Sequence, residues 1–510
     1  MPQSVSPADS LPDSLAESWI LGVAANPAAP PAVLLRLLDQ ASAAAWPVLC
    51  GQRPLPPELV EAVLAHPARA VRGEFARNAY ADPADRGRLV NDPDAMVRIR
   101  LISGPRGRRP IPSEPLPDAV LETLLLQDCL HGNEILTSQE CYQEFVFSRQ
   151  MSRRFLRGLV HHENPVMRMH AAQNKYALTD EERQALLTDP DPGVREEAGQ
   201  IPWSEKEVGV EDIPEQDCHA RFDQLTNCRV SREMIEICIA SRRNLATLAR
   251  NQHTPLDIVV RLARDPDPTV RERAAGHPEL DAALLAELAR DPDEGVRTRA
   301  GLRPRPTTDR QRRYIDEALS GTADEIGRAY ETADDSDAEW LAACAVSADP
   351  LMRRVAAMGC FVLPADLVDL LARDPNPHVR HLLAYHHAAA SPELLLEAFI
   401  AGPRRRELLL TRPALPRTGL GDLLTHADPG VRALAAADTT LDEPPYAQLT
   451  DADQRVRRAA AANPLLPADW IATLLDDPDL AEAAAANPAL TAEQLHQLLD
   501  RAAIPRLAAA

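Results

Sequence analysis

Leucine, valine and alanine fall along this chain in short runs at helical spacing, and proline and aspartate keep interrupting them. Between Thr254 and Arg303, Leu256, Ile258, Val259, Leu262 and Ala263 give one apolar helical face. Asp265-Pro266-Asp267-Pro268 then stops that helix and starts another. Asp267 is placed to cap the new helix and Pro268 to take its first position, where a missing N–H costs little. Val270, Ala274 and Ala275 point inward on this second run, and Gly276-His277-Pro278 ends it. Leu284, Leu285, Leu288 and Ala289 open the next helix, and Asp291-Pro292-Asp293 closes the cycle. The pattern predicts a longer Leu-rich helix, a proline turn and a short Ala-rich helix in each hairpin.

The hairpin recurs. A Val-Arg or Met-Arg pair marks it at Val71-Arg72, Val97-Arg98, Met167-Arg168, Val194-Arg195, Val270-Arg271, Val296-Arg297, Met352-Arg353, Val379-Arg380, Val431-Arg432 and Val456-Arg457. The intervals are 26, 70, 27, 76, 26, 56, 27, 52 and 25 residues. A fixed period of this size marks stacked supersecondary units, none of which buries its apolar face alone. Small residues on the second helix (Ala274, Ala300, Ala435, Ala459, Ala460) predict close approach between neighbours. The same grammar holds near both ends. Ala24-Ala25-Asn26-Pro27, Ala462-Asn463-Pro464 and Ala486-Asn487-Pro488 each lead into a Leu-rich helix.

The string of Asp-Pro-Asp, Val-Arg, Ala-Ala-Asn-Pro and a Pro-started Leu helix resembles the leucine-rich repeat variant family, a relative of HEAT-like α-solenoids. The match covers roughly two thirds of the chain. The resemblance implies an all-α fold, a right-handed α-solenoid of ~24–27-residue repeats built from α and short 3₁₀ helices, with two or three irregular helical insertions. A founding member of the family carries an iron–sulfur cluster on an N-terminal cysteine cluster. This chain has only Cys50 near its start, so no cofactor is expected.

The expected organisation is N-terminal repeats over 1–103, an irregular helical insertion over 104–158, and repeats over 159–201. An irregular cysteine-containing insertion over 202–245 follows, then repeats over 246–306, a degenerate repeat or linker over 307–340, and C-terminal repeats over 341–510. The first insertion opens on a basic run, Arg106 to Arg109. The second carries Trp203, Cys218, Cys228 and Cys238. The third break turns from basic (Arg305, Arg310, Arg312, Arg313) to acidic (Asp324, Glu325, Glu331, Asp334).

A net charge of −21 disfavours nonspecific attraction to nucleic acid or to an anionic membrane. Eight cysteines without a CxxC indicate reduced thiols and not a disulfide scaffold or a zinc site. Residues Met1 to Ser18 lack a signal-peptide pattern, and no run approaches the ~20 apolar residues that span a bilayer. The expected location is the cytoplasm, without membrane attachment.

The candidate chemistry is arginine. Asp precedes the repeated Arg by six residues at Asp92/Arg98, Asp189/Arg195, Asp265/Arg271, Asp291/Arg297, Asp374/Arg380 and Asp451/Arg457. A guanidinium forks onto a carboxylate through two donors, so stacked hairpins would carry an Asp–Arg ladder within or between them. The sharper reading makes Arg98, Arg168, Arg195, Arg271, Arg297, Arg353, Arg380, Arg432 and Arg457 a partner-binding row on the concave face. His378, His381, His386 and His387 lie close in sequence, but the expectation is packing or surface histidines and no metal site. The trio Cys218, Cys228 and Cys238 has even spacing without a tight pair and reads as packed thiols. No GxGxxG, GxxxxGK[ST], HExxH or GxSxG occurs, and no catalytic residue is assigned. The function expected is a non-enzymatic scaffold that binds a protein partner, of an identity the sequence does not encode. The alternatives are a nucleic-acid-binding solenoid similar to HEAT-like DNA repair glycosylases, and an accessory factor for another enzyme.

Overall fold

The computed structural model describes residues 13–105, 114–126, 129–131, 134–148, 150–173, 178–200, 205–320, 335–402 and 406–506. The basic run Arg106 to Arg109, Trp203 and the acidic run from Asp324 to Asp334 lie outside these residues. Among the described residues the fold is helical, with 32 α-helices and several short 3₁₀ turns. Two small strand pairs depart from it, each inside an insertion expected to be helical. Cys129–His131 runs antiparallel to Glu134–Leu136, and Glu207–Val208 runs parallel to Arg229–Val230. The Gly132-Asn133 dipeptide between the first two strands is a hairpin signal that the helical reading passed over.

The hairpin starts and stops where its turn residues dictate. Asp267, Asp349 and Asp428 accept hydrogen bonds from the amides two residues on, and Pro268, Pro350 and Pro429 take the first helical position. The Leu-rich helix is not the longer one. Leu256–Leu262 and Ala282–Leu288 have seven residues, against eight in Pro268–Ala275 and Glu294–Gly301. The cause is the Asp-Pro turn, because proline disfavours helical backbone in the residue before it. In several hairpins the Leu-rich stretch tightens to a 3₁₀ turn, as at Arg88–Asn91, Leu159–His161, Gly421–Thr425 and Ala447–Thr450. Every Val or Met of the ten repeated pairs is buried. Each such side chain contributes about 1.5–3 kcal/mol to holding its hairpin on its neighbours.

The chain forms two compact bodies, one of residues 1–198 with 399–510 and the other of residues 199–398. In the first body the Ala-rich helices pack in an order that crosses the chain ends. Pro429–Ala436, Gln454–Ala461 and Ala481–Ala485 are followed in space by Asp13–Ala25, then by Trp46–Gly51, Arg69–Ala76 and Ala95–Ser103. One apolar core runs through residues from both ends.

A buried asparagine brackets five of the junctions, and Arg53 takes that place on the carbonyls of Ala24 and Asn26. Asn463 Nδ2 donates to the carbonyls of Ala436 (2.9 Å) and Asp438 (2.8 Å), and Asn487 Nδ2 to those of Ala461 (3.0 Å) and Asn463 (2.8 Å). Asn26 Nδ2 makes the same pair of bonds to Ala485 (3.1 Å) and Asn487 (2.8 Å), 461 residues away. Asn78 and Asn251 repeat the bracket on Cys50 and Arg53, and on Leu225 and Cys228. The N-terminal hairpin therefore sits on the C-terminal one as an ordinary next member of the row.

Three further residues lock this junction. Gly22 lies so close to the helix Ala481–Ala485 that a Cβ on it would stand 2.2 Å from the Glu482 carbonyl oxygen. Trp19 Nε1 donates to the Leu475 carbonyl at 2.7 Å, and the Arg501 guanidinium stacks on its ring at 4.1 Å. Arg36 is fully buried and donates to Asp500 Oδ1 (2.6 Å), His496 Nδ1 (2.9 Å) and the carbonyls of His496, Ile504 and Pro505.

Burial, and then the charges of Arg36 and Arg506, hold the His496 imidazole below the ordinary histidine range, while Glu493 and Asp500 pull the other way. A neutral Nδ1 accepts from Arg36, and a protonated one repels it. The unfolded chain binds that proton more readily, so the junction weakens as pH falls from about 6.5 through the lowered folded value. Amide exchange in residues 13–25, corrected for intrinsic rates, should be slower at about pH 7.5 than at about pH 5.5. Equal protection at both would contradict this assignment.

In the second body, Leu245–Arg250, Pro268–Ala275 and Glu294–Gly301 form one run of packed Ala-rich helices, and Asp335–Ala345, Pro350–Met358 and Pro377–His386 another. Asp309–Ser320 packs on Pro350–Met358 and carries Asp316, which is buried with Arg299 and has Arg250 Nε at 3.0 Å.

Candidate partner-binding site

The repeated arginines are spent on the turns. Arg271 Nε and Nη2 each donate to the Asp291 carboxylate at 2.8 Å, while Nη1 donates to the carbonyls of Asp265 (2.8 Å) and Pro266 (3.0 Å). The Asp six residues back thus meets Arg271 through its backbone, and the carboxylate belongs to the following hairpin. Asp291 Oδ1 also accepts from the Asp293 amide at 2.9 Å, and Arg297 Nη1 donates to the Asp291 carbonyl at 2.8 Å.

The same forked pair joins Arg72 to Asp92, Arg168 to Asp189, Arg353 to Asp374 and Arg432 to Asp451. Arg380 takes the Asp374 carbonyl at 2.6 Å and pairs with Glu397. Arg98, Arg195 and Arg457 hold the carbonyls of Asp92 (2.5 Å), Asp189 (2.6 Å) and Asp451 (2.9 Å). Asp189 and Asp291 also attract Arg195 and Arg297 through space, without the forked pair. The nine arginines of the expected row thus lie on helices and reach back to turn carbonyls, five of them also facing a carboxylate.

Hydrogen bonds from Arg168, Arg271 and Arg432 hold the carboxyls of Asp189, Asp291 and Asp451 below the usual range, with the amides two residues on adding to the effect. A depressed folded value means that the ladder's contribution is complete above about pH 4 and is lost as pH falls through the native values. Urea midpoints should be insensitive to these groups from neutral pH down to about 4 and fall steeply below it. A midpoint unchanged well below pH 4 would contradict the ladder.

The other sequence candidates converge less. His378 and His381 meet edge-on with ring centroids 6.4 Å apart, and His381 Nε2 lies 3.4 Å from Glu397. Among the described residues no three His, Cys, Asp or Glu side chains are grouped to hold a metal ion. Cys228 and Cys238 are buried and Cys218 is exposed. Burial pushes the Cys50 thiol up to about 12 and raises Cys228, Cys238 and Cys344 as well, so these thiols stay protonated near neutrality. Among the described residues no helix is long and apolar enough to cross a membrane.

What the sequence reading missed is a groove in the second body. It has a volume of about 660 Å³ and is walled by Pro278, Leu280 and the stripe Ala282, Leu285, Ala286 and Ala289, with Arg290, Arg303 and Arg305 at its edge. A second hollow of about 490 Å³ shares Gly301 and Arg303 with it and reaches Asp349. Among the described residues no Asp or Glu lines the larger hollow. Arg290 donates to its own helix at the Ala286 carbonyl, Arg303 to the carbonyls of Ala300 and Leu302, and Arg305 to those of Ala275 and His277. Burial, then repulsion from Arg303 and Arg299, lowers the Arg305 guanidinium to about 10. It remains charged at neutral pH. The sequence signal for this place is the 56-residue interval from Val296 to Met352.

Compared with known protein families and with curated proteins, the chain matches none.

Proposed function

We propose that this protein is a non-enzymatic repeat scaffold, similar to the leucine-rich repeat variant family, whose helices wind as a right-handed α-solenoid and present a binding surface to a protein partner in the cytoplasm. One observation carries the reading. The recurrent polar side chains are consumed in joining hairpin to hairpin, whereas the groove at 278–305 leaves Arg290 and Arg303 bonded only to nearby carbonyls, with no carboxylate among the described residues, beside bare alanine and leucine. Rigid rows of helices with one such surface suit recognition. The binding role expected of the nine repeated arginines passes in this reading to Arg290 and Arg303, with Arg305 tied to the carbonyls of Ala275 and His277 beside them. The test is native purification from the source cell followed by crosslinking mass spectrometry. A stoichiometric protein partner is expected. A protein recovered only as a free chain, or only with nucleic acid, would overturn the reading.

A further inference from the structure

We propose that the groove along helix Ala282–Leu288 receives an acidic amphipathic helix of the partner protein. The inference rests on the scaffold reading and gives the partner's contact segment a chemistry. Ala282, Leu285, Ala286 and Ala289 recur at helical spacing and line the groove, and alanine lets a second helix approach closely. Elsewhere in the fold a Leu-rich helix packs on the next one, as Pro57–Leu64 does on Pro31–Arg36 and Ala365–Ala372 on Asp335–Ala345. Here the following helix, Asp309–Ser320, packs instead on Pro350–Met358 and sends Asp316 to Arg299 and Arg250. Among the described residues no helix covers this stripe, and Ala282, Ala286 and Ala289 are exposed.

Charge then selects the occupant. The chain carries −21 overall, yet this groove has three guanidiniums and no carboxylate on its larger hollow. Arg299, which also repels Arg305, is 2% exposed and pairs with Asp316 through Nη2, while its Nε and Nη1 have no hydrogen-bond partner among the described residues. Carboxylates flanking an apolar stripe answer both the arginines and the alanine wall. A phosphate backbone answers only the arginines and leaves the apolar wall in water, and the surrounding negative charge repels it.

A displayed library of random helical peptides, selected on the full-length protein, tests this. The enriched peptides should carry Leu-like residues at helical spacing flanked by Asp or Glu. They should bind the double variant R290E/R303E about tenfold or more weakly. Both arginines bond only to carbonyls of their own turn, so the variant should keep the wild-type circular dichroism spectrum. Enrichment of neutral or basic peptides, no enrichment, or equal binding to the variant would each overturn the proposal. Duplex DNA bound with the same arginine dependence would also overturn it, in favour of phosphate recognition. A native partner that still binds R290E/R303E would remove the groove assignment and leave the scaffold reading standing.

Discussion

Replacing Arg36 with alanine should release the N-terminal helix Asp13–Ala25 from the C-terminal hairpin. The side chain is 1% exposed and serves the carbonyls of His496, Ile504 and Pro505 as well as His496 Nδ1 and Asp500. Removing one member of a buried network costs about 3–5 kcal/mol. Asp500 is partly in water and keeps Arg506 at 2.6 Å, which places the loss toward the lower end. Most of it comes from buried carbonyls left without a donor. A chain of two bodies has no single unfolding free energy, so the readout should be local. Peptides covering 13–25 and 481–485 should lose protection together in Arg36→Ala, with 245–275 unchanged. A uniform rise across both bodies would point to global destabilisation instead.

Asn487→Ala should be as damaging by a different route. This side chain is fully buried, donates to two carbonyls of the preceding hairpin, and accepts from the Ala489 amide at 2.9 Å. Alanine would orphan the Ala461 carbonyl and the Ala489 amide, while the Asn463 carbonyl would keep the Leu466 amide. At about 1–3 kcal/mol for each group left unpaired, with partial relaxation, a loss of about 2–5 kcal/mol is expected. Asn487→Asp is nearly isosteric but turns donors into acceptors facing carbonyls, and should cost more than alanine. Hydrogen exchange of peptides covering 454–461 and 481–485 in the two variants settles the order. If Asp were tolerated better than Ala, the bracket would not be a hydrogen-bonding device.

These two residues also mark the limits of what could be read in the sequence. Period, caps and the buried Val or Met positions were legible because they repeat, and repetition averages out local noise. The ladder was legible as a pairing of types, but its geometry was not. The Asp nearest Arg271 in sequence offers a carbonyl, and the carboxylate comes from Asp291, twenty residues on, which only stacking brings into reach. The meeting of the ends left a trace. A terminal repeat normally shows a polar outer face, whereas Trp19, Gly22 and Asn26 are buried. The groove was hidden because an irregular interval shows that the period fails without showing which face it uncovers.

The claim that the first and last hairpins are neighbours in one row can be tested by peptide-resolved hydrogen exchange on the intact wild-type chain. A free N-terminal helix frays, while one packed inside a row does not. The account predicts that residues 19–25 exchange as slowly as the interior helix Gln454–Ala461, and that Gly22→Leu speeds 19–25 and 481–485 in concert. Fast exchange of 19–25 in the wild-type chain, or indifference of both segments to Gly22→Leu, would contradict it.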